Sequence, residues 1–329
     1  MKTLIIGAGP LGGLYTTLFH KAGKDVTLLA RNSHYSYLKQ HGIILVNEFT
    51  GEKTIENVKL ISSLKDQDSY DLAIIIMRKN SVKKLLPELG KTKSIKNFLF
   101  MGNNAGGFAE YLKYLPEEKI LFGFPGGGGS RIDHIVHYID SEKPNGRRMP
   151  ATLGEIDGTI KARTKQIQNL FESSGIPVHT VKDIDSWLRY HVAFVLPVAG
   201  ALLKSGDNYK LSKDDTTIRK YIRAVQEGGR VLKSLGWTKS YNIKFKMFQW
   251  LPEGLLVGIL KKVFNSKFAE VAMMMHVKSA GDEMVELGNE FRKLAERSKI
   301  ETPNLDELLD SIYNSQVKAK NEDEKSIAY

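Results

Sequence analysis

Cysteine is absent from this chain. That excludes disulfides, thiolate catalysis and Cys-ligated metal, and it suits a reducing compartment such as the cytoplasm. Long apolar runs are lacking too. The longest uncharged apolar runs, Val192 to Leu203 and Leu255 to Leu260, fall short of the ~18 residues a membrane-spanning helix needs. Only Met1 and Lys2 precede the first strand-like run, so no signal peptide fits, and a cytoplasmic protein with no membrane partner is expected. Metal-ligand spacing is missing as well. The eight histidines include no His-x-x-x-His or Glu-flanked pair, and His134 with His137 reads as loop and strand, so no metal is expected.

Positive charge is not scarce. A formal net charge of +11 invites a polyanion partner. However, pairs such as Lys83-Lys84, Arg147-Arg148 and Lys261-Lys262 are separated by acidic residues, and no nucleic-acid module is visible. The expectation is a solvated basic surface, a few cations serving an anionic ligand, and no nucleic-acid partner.

The length of 329 residues exceeds what one core usually covers, so two domains are expected. The stretch from Thr3 to Ile6 runs into Gly7-x-Gly9-x-x-Gly12, and Leu11, Leu14, Tyr15 and Leu18 repeat at helical spacing. This predicts strand, tight turn and helix, with a second strand at Val26 to Leu29. In such a turn Gly7 allows the bend, Gly9 lets a pyrophosphate approach the backbone, and Gly12 lets the helix lie close to the strand. The phosphates would meet the free amides of the helix N-terminus. Gly7, Gly9, Pro10, Leu11 and Gly12 are therefore cofactor-binding candidates. The blander alternative is a Gly-rich turn with no ligand.

At the exit of strand two, an acid would mark NAD and a cation NADP. This chain has Arg31 and no acid from Ala30 to Leu38. A guanidinium can grip the 2′-phosphate in bidentate fashion, so NADP(H) is predicted, with Asn32 adding hydrogen bonds. An exposed loop arginine is the alternative. Asp71 to Met77 reads as a buried parallel strand ending in Arg78, and Asn97 to Met101 as another, ending in the loop of Asn103 and Asn104. Arg78 would face the ligand crevice. Either asparagine can place an amide beside a nicotinamide or simply hold the turn. The four glycines from Gly126 to Gly129 are either a mobile linker or a place where backbone packs closely, and position favours the second. Ile135 to Ile139 and Ala151 to Glu155 are expected to continue the sheet. Past Gly158 helical periodicity dominates, including one long run from Val271 to Arg297 and a last one from Leu305 to Lys318 followed by a loose charged tail. The prediction is an α/β chain: an N-terminal Rossmann dinucleotide-binding domain, 1–165, then an all-α domain, 166–329, for substrate binding and dimerisation.

With Gly7-Ala-Gly-Pro-Leu-Gly12, Arg31, Asp71 to Arg78, Asn103-Asn104, Thr152-Leu-Gly-Glu155-Ile-Asp-Gly158 and Gly175-Ile-Pro to Trp187 in order, the chain resembles the ketopantoate reductase family over nearly its whole length. The resemblance implies an NADPH-dependent reductase of a small-molecule 2-keto acid, with a helical domain helping to enclose the substrate. It makes Arg31 the 2′-phosphate arginine and puts Arg78 where the family usually has a cofactor-side lysine. The family's proton-donating lysine and two following asparagines correspond to Arg189, Ala193 and Pro197. Its substrate-binding glutamate corresponds to Glu283, and its serine and aspartate to Val271 and Met275, the latter next to His276. Arginine is a poor general acid but a good carboxylate clamp. His191 and, after it, Tyr190 are therefore the proton-donor candidates, and Arg189 and Glu283 serve substrate polarity. His191 lies about 200 degrees around the helix from Arg189, which argues against easy substitution. The lost polar residues point to a different and more apolar keto substrate. The competing reading is a non-catalytic NADP(H)-binding sensor or scaffold. A homodimer is compatible with the large helical domain.

Overall fold

The computed structural model describes residues 1–65, 67–239 and 243–327. The chain divides into two compact units: 1–103 with 107–185, and 104–106 with 186–329. The second therefore begins at Ser186, later than the change in sequence texture, and reaches back to take three residues of the Asn-rich loop.

The first unit runs β1 Thr3–Ile6, α1 Pro10–Lys21, β2 Val26–Leu29, α2 Asn32–His41, β3 Ile43–Asn47, β4 Lys53–Glu56, β5 Lys59–Ile61, β6 Leu72–Ile75, α3 Lys79–Leu89, β7 Phe98–Met101, α4 Ala109–Leu112, β8 Ile120–Phe124, β9 Gly128–Ile132, β10 Ile135–Ile139, β11 Ala151–Glu155, α5 Ala162–Glu172 and β12 Val178–Thr180. Its main sheet has eight strands in the order β12-β11-β8-β7-β6-β1-β2-β5. All neighbours are parallel except β8 and β11. The central strands β1, β2, β6 and β7 are buried along their whole length, which is why they read as unbroken apolar runs.

Two expectations are corrected here. Ile135 to Ile139 does not continue the main sheet; it belongs to a separate four-stranded sheet, β4-β3-β10-β9. Residues Ala162–Glu172 and Val178–Thr180 pack with β11 in the first unit, so α/β structure persists past Gly158. The small sheet covers α1 at Gly13, where a Cβ would make ordinary contact with Ile43 and Val136, 3.5 Å from each. The glycine run is packed backbone rather than linker. The Tyr15 hydroxyl accepts from Gly126 N–H at 2.7 Å and donates to Gly126 C=O at 3.2 Å. Burial pushes that phenol's pKa well above its ordinary value.

The second unit is helical: α6 Ile184–Ser205, which starts at the join, α7 Asn208–Leu211, α8 Asp215–Ser234, α9 Ile243–Trp250, α10 Glu253–Phe264, α11 Met275–Ser279, α12 Gly281–Ser298 and α13 Pro303–Ile327. Between α10 and α11 lies a π-helical segment, Ala269–Met274. The single helix expected from Val271 to Arg297 is thus three pieces, and α13 continues past Lys318 where a loose tail is expected. By length and composition α6 qualifies to cross a membrane, but 72% of its most apolar window is buried inside the protein. It is apolar all round because α8, α12 and α13 side chains join it in one core. The carboxylate of Glu227, buried on α8, caps α13 by accepting from Asn304 Nδ2 at 2.6 Å and Leu305 N at 2.8 Å.

Candidate functional site

Ile6, Leu29 and Ile75 stand in register on β1, β2 and β6. The glycine turn, the Arg31 exit and the Arg78 segment consequently leave the C-terminal edge of the sheet side by side, where open parallel sheets bind ligands. Gly7 adopts φ +118, and a Cβ there would lie 2.3 Å from Ile76 O. At Gly12 a Cβ would lie 1.8 Å from Gly7 O. Gly9 differs: nothing comes within 4 Å of its would-be Cβ. Two glycines thus close the turn and one leaves room above it. Gly9 is the N-cap of α1 and supplies no side-chain cap, Pro10 occupies the first helical position, and no acid lies in the first turn. The helix therefore offers its amides and dipole to an anion. Leu11 packs below, 3.0 Å from where a Gly127 Cβ would be.

Arg31 caps α2 from an extended conformation, and Asn32 follows at φ +55. Although the sequence has no acid at this exit, the fold supplies one. Both oxygens of Glu88, on α3, accept from Arg31 Nη2, at 3.2 and 3.0 Å. Both side chains are about half exposed, and such pairs contribute only about 0–1 kcal/mol. Arg78 is exposed at the N-cap of α3. Its neighbour Lys79 turns inward, 3% exposed, with Nζ 4.9 Å above the Tyr111 ring. At the end of β7, Asn103 is 7% exposed and its amide oxygen has no hydrogen-bond partner. An unmet acceptor of that kind suits a ligand carboxamide. The turn's room above Gly9, the uncapped helix and this oxygen all fit a bound dinucleotide.

Sequence reasoning missed a further feature of the turn. Ala8 C=O accepts from His34 Nε2 at 3.0 Å and from Arg131 Nη1 at 2.8 Å. The two His34 and His134 Nδ1 atoms are 2.9 Å apart, and His134 stacks on Tyr37 at 4.4 Å. Asp133 and His134, both at positive φ, form the tip of the β9–β10 hairpin. Burial, followed by the charges of Arg131 and His134, pushes the His34 pKa down to about 4. With its folded value below the ordinary 6.5, His34 favours the folded state as the neutral ring. That contribution is full above pH 6.5 and drains as pH falls to about 4, roughly 1–3 kcal/mol in all. His34→Gln keeps an N–H for Ala8 and removes the titration. Denaturant unfolding from pH 7 to 4 is expected to show the wild-type slope and its loss in the variant.

In the second unit, Asn104 is 2% exposed and begins the loop 104–106. Arg189, 7% exposed, donates from Nη1 to Ala105 C=O and lies 4.1 Å over the Trp237 ring. Glu290 holds the loop's other pole, accepting from Ala105 N at 3.2 Å and Gly106 N at 2.9 Å. Arg189 thus holds the loop at one pole and Glu290 at the other. Tyr190 is buried against Phe245, and its hydroxyl donates to Trp237 C=O at 2.7 Å. His191 is half-buried and stacks flat on Trp187, 5.1 Å between centroids at 8°. Glu283 is 3% exposed, with His276 Nε2 3.9 Å from its Oε2. Arg131 and Glu290 had no local signal, because each acts on residues far away in sequence.

Residues 3–141 match the profile of the family described as ketopantoate reductase PanE/ApbA. A 2-dehydropantoate 2-reductase from a Nostoc species is 27% identical over 192 residues, which is 56% of this chain and 57% of that protein. The matched part thus spans little more than half of that relative's length. Among solved structures, D-mandelate dehydrogenase with NADH and anilino(oxo)acetate has a TM-score of 0.77 at 17% identity, covering 97% of this chain and 99% of that one. A dimeric ketopantoate reductase from Staphylococcus aureus has a TM-score of 0.69 at 14% identity, covering 97% and 99%. Residues 3–141, which carry the glycine turn and the sheet edge around it, are thus similar to the ketopantoate reductase family, and the solved structures share the fold over nearly the whole chain.

Proposed function

We propose that the protein is an NADPH-dependent reductase of a 2-keto acid or related ketone, with a substrate more apolar than ketopantoate. The observation that carries this reading is the glycine turn at the sheet edge, flanked by Arg31 and by the unmet amide oxygen of Asn103. Gly7, Gly9 and Gly12 with the first amides of α1 hold the pyrophosphate, Arg31 and Asn32 the 2′-phosphate, and Arg78 the adjoining anionic region. Asn103 and Asn104 orient the nicotinamide end. When bound, the cofactor supplies the hydride. The chain's own work is to orient the ketone, shield it from water and deliver one proton to its oxygen. Glu283 serves substrate polarity, and positions Val271 and Met275 are apolar where the family has polar ligands. A homodimer belongs to the same reading, supported by the likeness to the dimeric Staphylococcus aureus protein.

Arg31→Ser tests the cofactor choice. Losing charge-assisted bonds of about 1.5–3 kcal/mol is expected to weaken NADPH by roughly 10- to 100-fold, while NADH, which lacks the 2′-phosphate, loses far less. Fluorescence titration of both nucleotides reads this. Equal losses for the two would show that Arg31 does not read the 2′-phosphate.

A further inference from the structure

The proton source is the weak point of a reductase that lacks the family lysine. We propose that His276, paired with the buried Glu283, is the general acid of this reductase. The inference rests on the reductase reading above.

Glu283 is 3% exposed on α12. A carboxylate so far from water is costly to keep charged unless a cation or donor stands beside it. His276 does so, with Nε2 3.9 Å from Glu283 Oε2. The imidazole is itself 36% exposed, so it can take a proton back from water after each turnover. Orienting carboxylate on one nitrogen, exchangeable proton on the ring, and access to solvent are the elements of a histidine general acid.

Ala269–Met274 is π-helical and leads directly into α11. Segments of this kind are uncommon and cluster at functional sites. His276 precedes Glu283 by seven residues, about two helical turns, with the helix interrupted between them at Ala280.

The charged residues on the elements beside the ring are Asp282, Glu283 and Glu286 on α12, Lys278 on α11 and Glu270 on the π segment. Asp282 Oδ1 accepts from the Glu283 N–H at 3.0 Å, fixing the start of α12. The other sequence candidates are committed elsewhere: Tyr190 donates to Trp237 C=O, and His191 lies flat on Trp187.

The step balances simply. The ketone carbon gains the hydride as a new C–H bond, and the carbonyl π pair moves to oxygen. Protonated His276 gives that oxygen its N–H proton from Nδ1, leaving a neutral ring with Nε2 toward Glu283. Water then reprotonates the ring.

Three variants test this: His276→Asn, His276→Ala and Glu283→Gln, each assayed for pH-dependent reduction of the best 2-keto acid and for NADPH affinity by fluorescence. His276→Ala is expected to lower kcat by ~100-fold or more, with a much smaller change in KM. It is also expected to lose the basic limb of the pH profile and to regain part of kcat with added imidazole, while NADPH affinity stays near wild type. Glu283→Gln is expected to move the basic limb to lower pH. In the protein without cofactor, the His276 ring signal, assigned from its loss in His276→Asn, is expected to titrate at lower pH in Glu283→Gln. An unchanged kcat and pH profile in His276→Ala, with an active wild type, overturns the proposal and leaves the reductase reading intact. Absence of turnover in the wild type strikes the reductase reading and removes the acid with it. A ring titration indifferent to Glu283→Gln overturns the pairing in either case.

Discussion

Gly12→Ala is expected to destabilise the first unit by about 1–3 kcal/mol through overpacking and to abolish useful dinucleotide binding. The added Cβ would fall 1.8 Å from Gly7 O, and neither partner can give way cheaply. Gly7 is held at φ +118 with its own open side 2.3 Å from Ile76 O. Across α1, Gly13 already lies against Ile43 and Val136 of the small sheet. The helix is caught between two sheets, so relief has to come from lifting the N-terminus of α1 off β1. That movement displaces the amides that receive phosphate. Losing two charge-assisted bonds costs about 3 kcal/mol or more, roughly 100-fold in affinity. Thermal unfolding with and without NADPH measures both effects: a lower Tm without cofactor, and little or no cofactor-dependent rise. Gly9→Ala is the informative comparison. Its Cβ meets nothing within 4 Å, so stability is expected to be retained while binding falls.

Arg189→Ala is expected to cost the second unit about 3 kcal/mol, from a charge-assisted bond to a carbonyl and a stacked guanidinium. The side chain is 7% exposed, donates to Ala105 C=O and lies over Trp237. The Trp237 carbonyl in turn accepts from Tyr190, one residue along α6. Removing Arg189 therefore loosens both the 104–106 loop and the segment after α8. Arg189→Lys restores the residue typical of the family, yet an ammonium cannot lie flat on the indole or offer a planar fork. The expected order of Tm is wild type, Lys, then Ala. kcat/KM for the keto acid is expected to fall in the same order, because Asn104 sits at the start of the loop. An Arg189→Lys protein as stable and active as wild type would show that the stacked planar fork is not what holds the loop.

Local chemistry was legible in the sequence, and remote partnership was not. The first strand, glycine turn and helix carry their own signature within fifteen residues, and buried strands such as Leu72–Ile75 show as unbroken apolar runs. Gly128–Ile132 has no such signature, since Gly-Gly-Ser-Arg-Ile lacks apolar alternation and gains its strand from pairing with β10. Arg131 and His34 act on one carbonyl from positions about 100 residues apart. Glu88 reaches Arg31 from another helix. Tyr190 looked like a donor by adjacency to Arg189, but α6 is buried on nearly all sides and the hydroxyl is satisfied in the core. Periodicity summed over Val271 to Arg297 averages away the π segment and the break at Ala280.

The most direct measurement is the oxidation of NADPH by the purified protein across a panel of 2-keto acids graded in side-chain size and polarity, with the product identified by chiral chromatography. The account predicts saturable oxidation with one-to-one formation of the 2-hydroxy acid, faster for apolar substituents than for ketopantoate, and much weaker with NADH. Tight NADPH binding with no oxidation of any member of the panel would contradict it and leave a cofactor-binding sensor or scaffold.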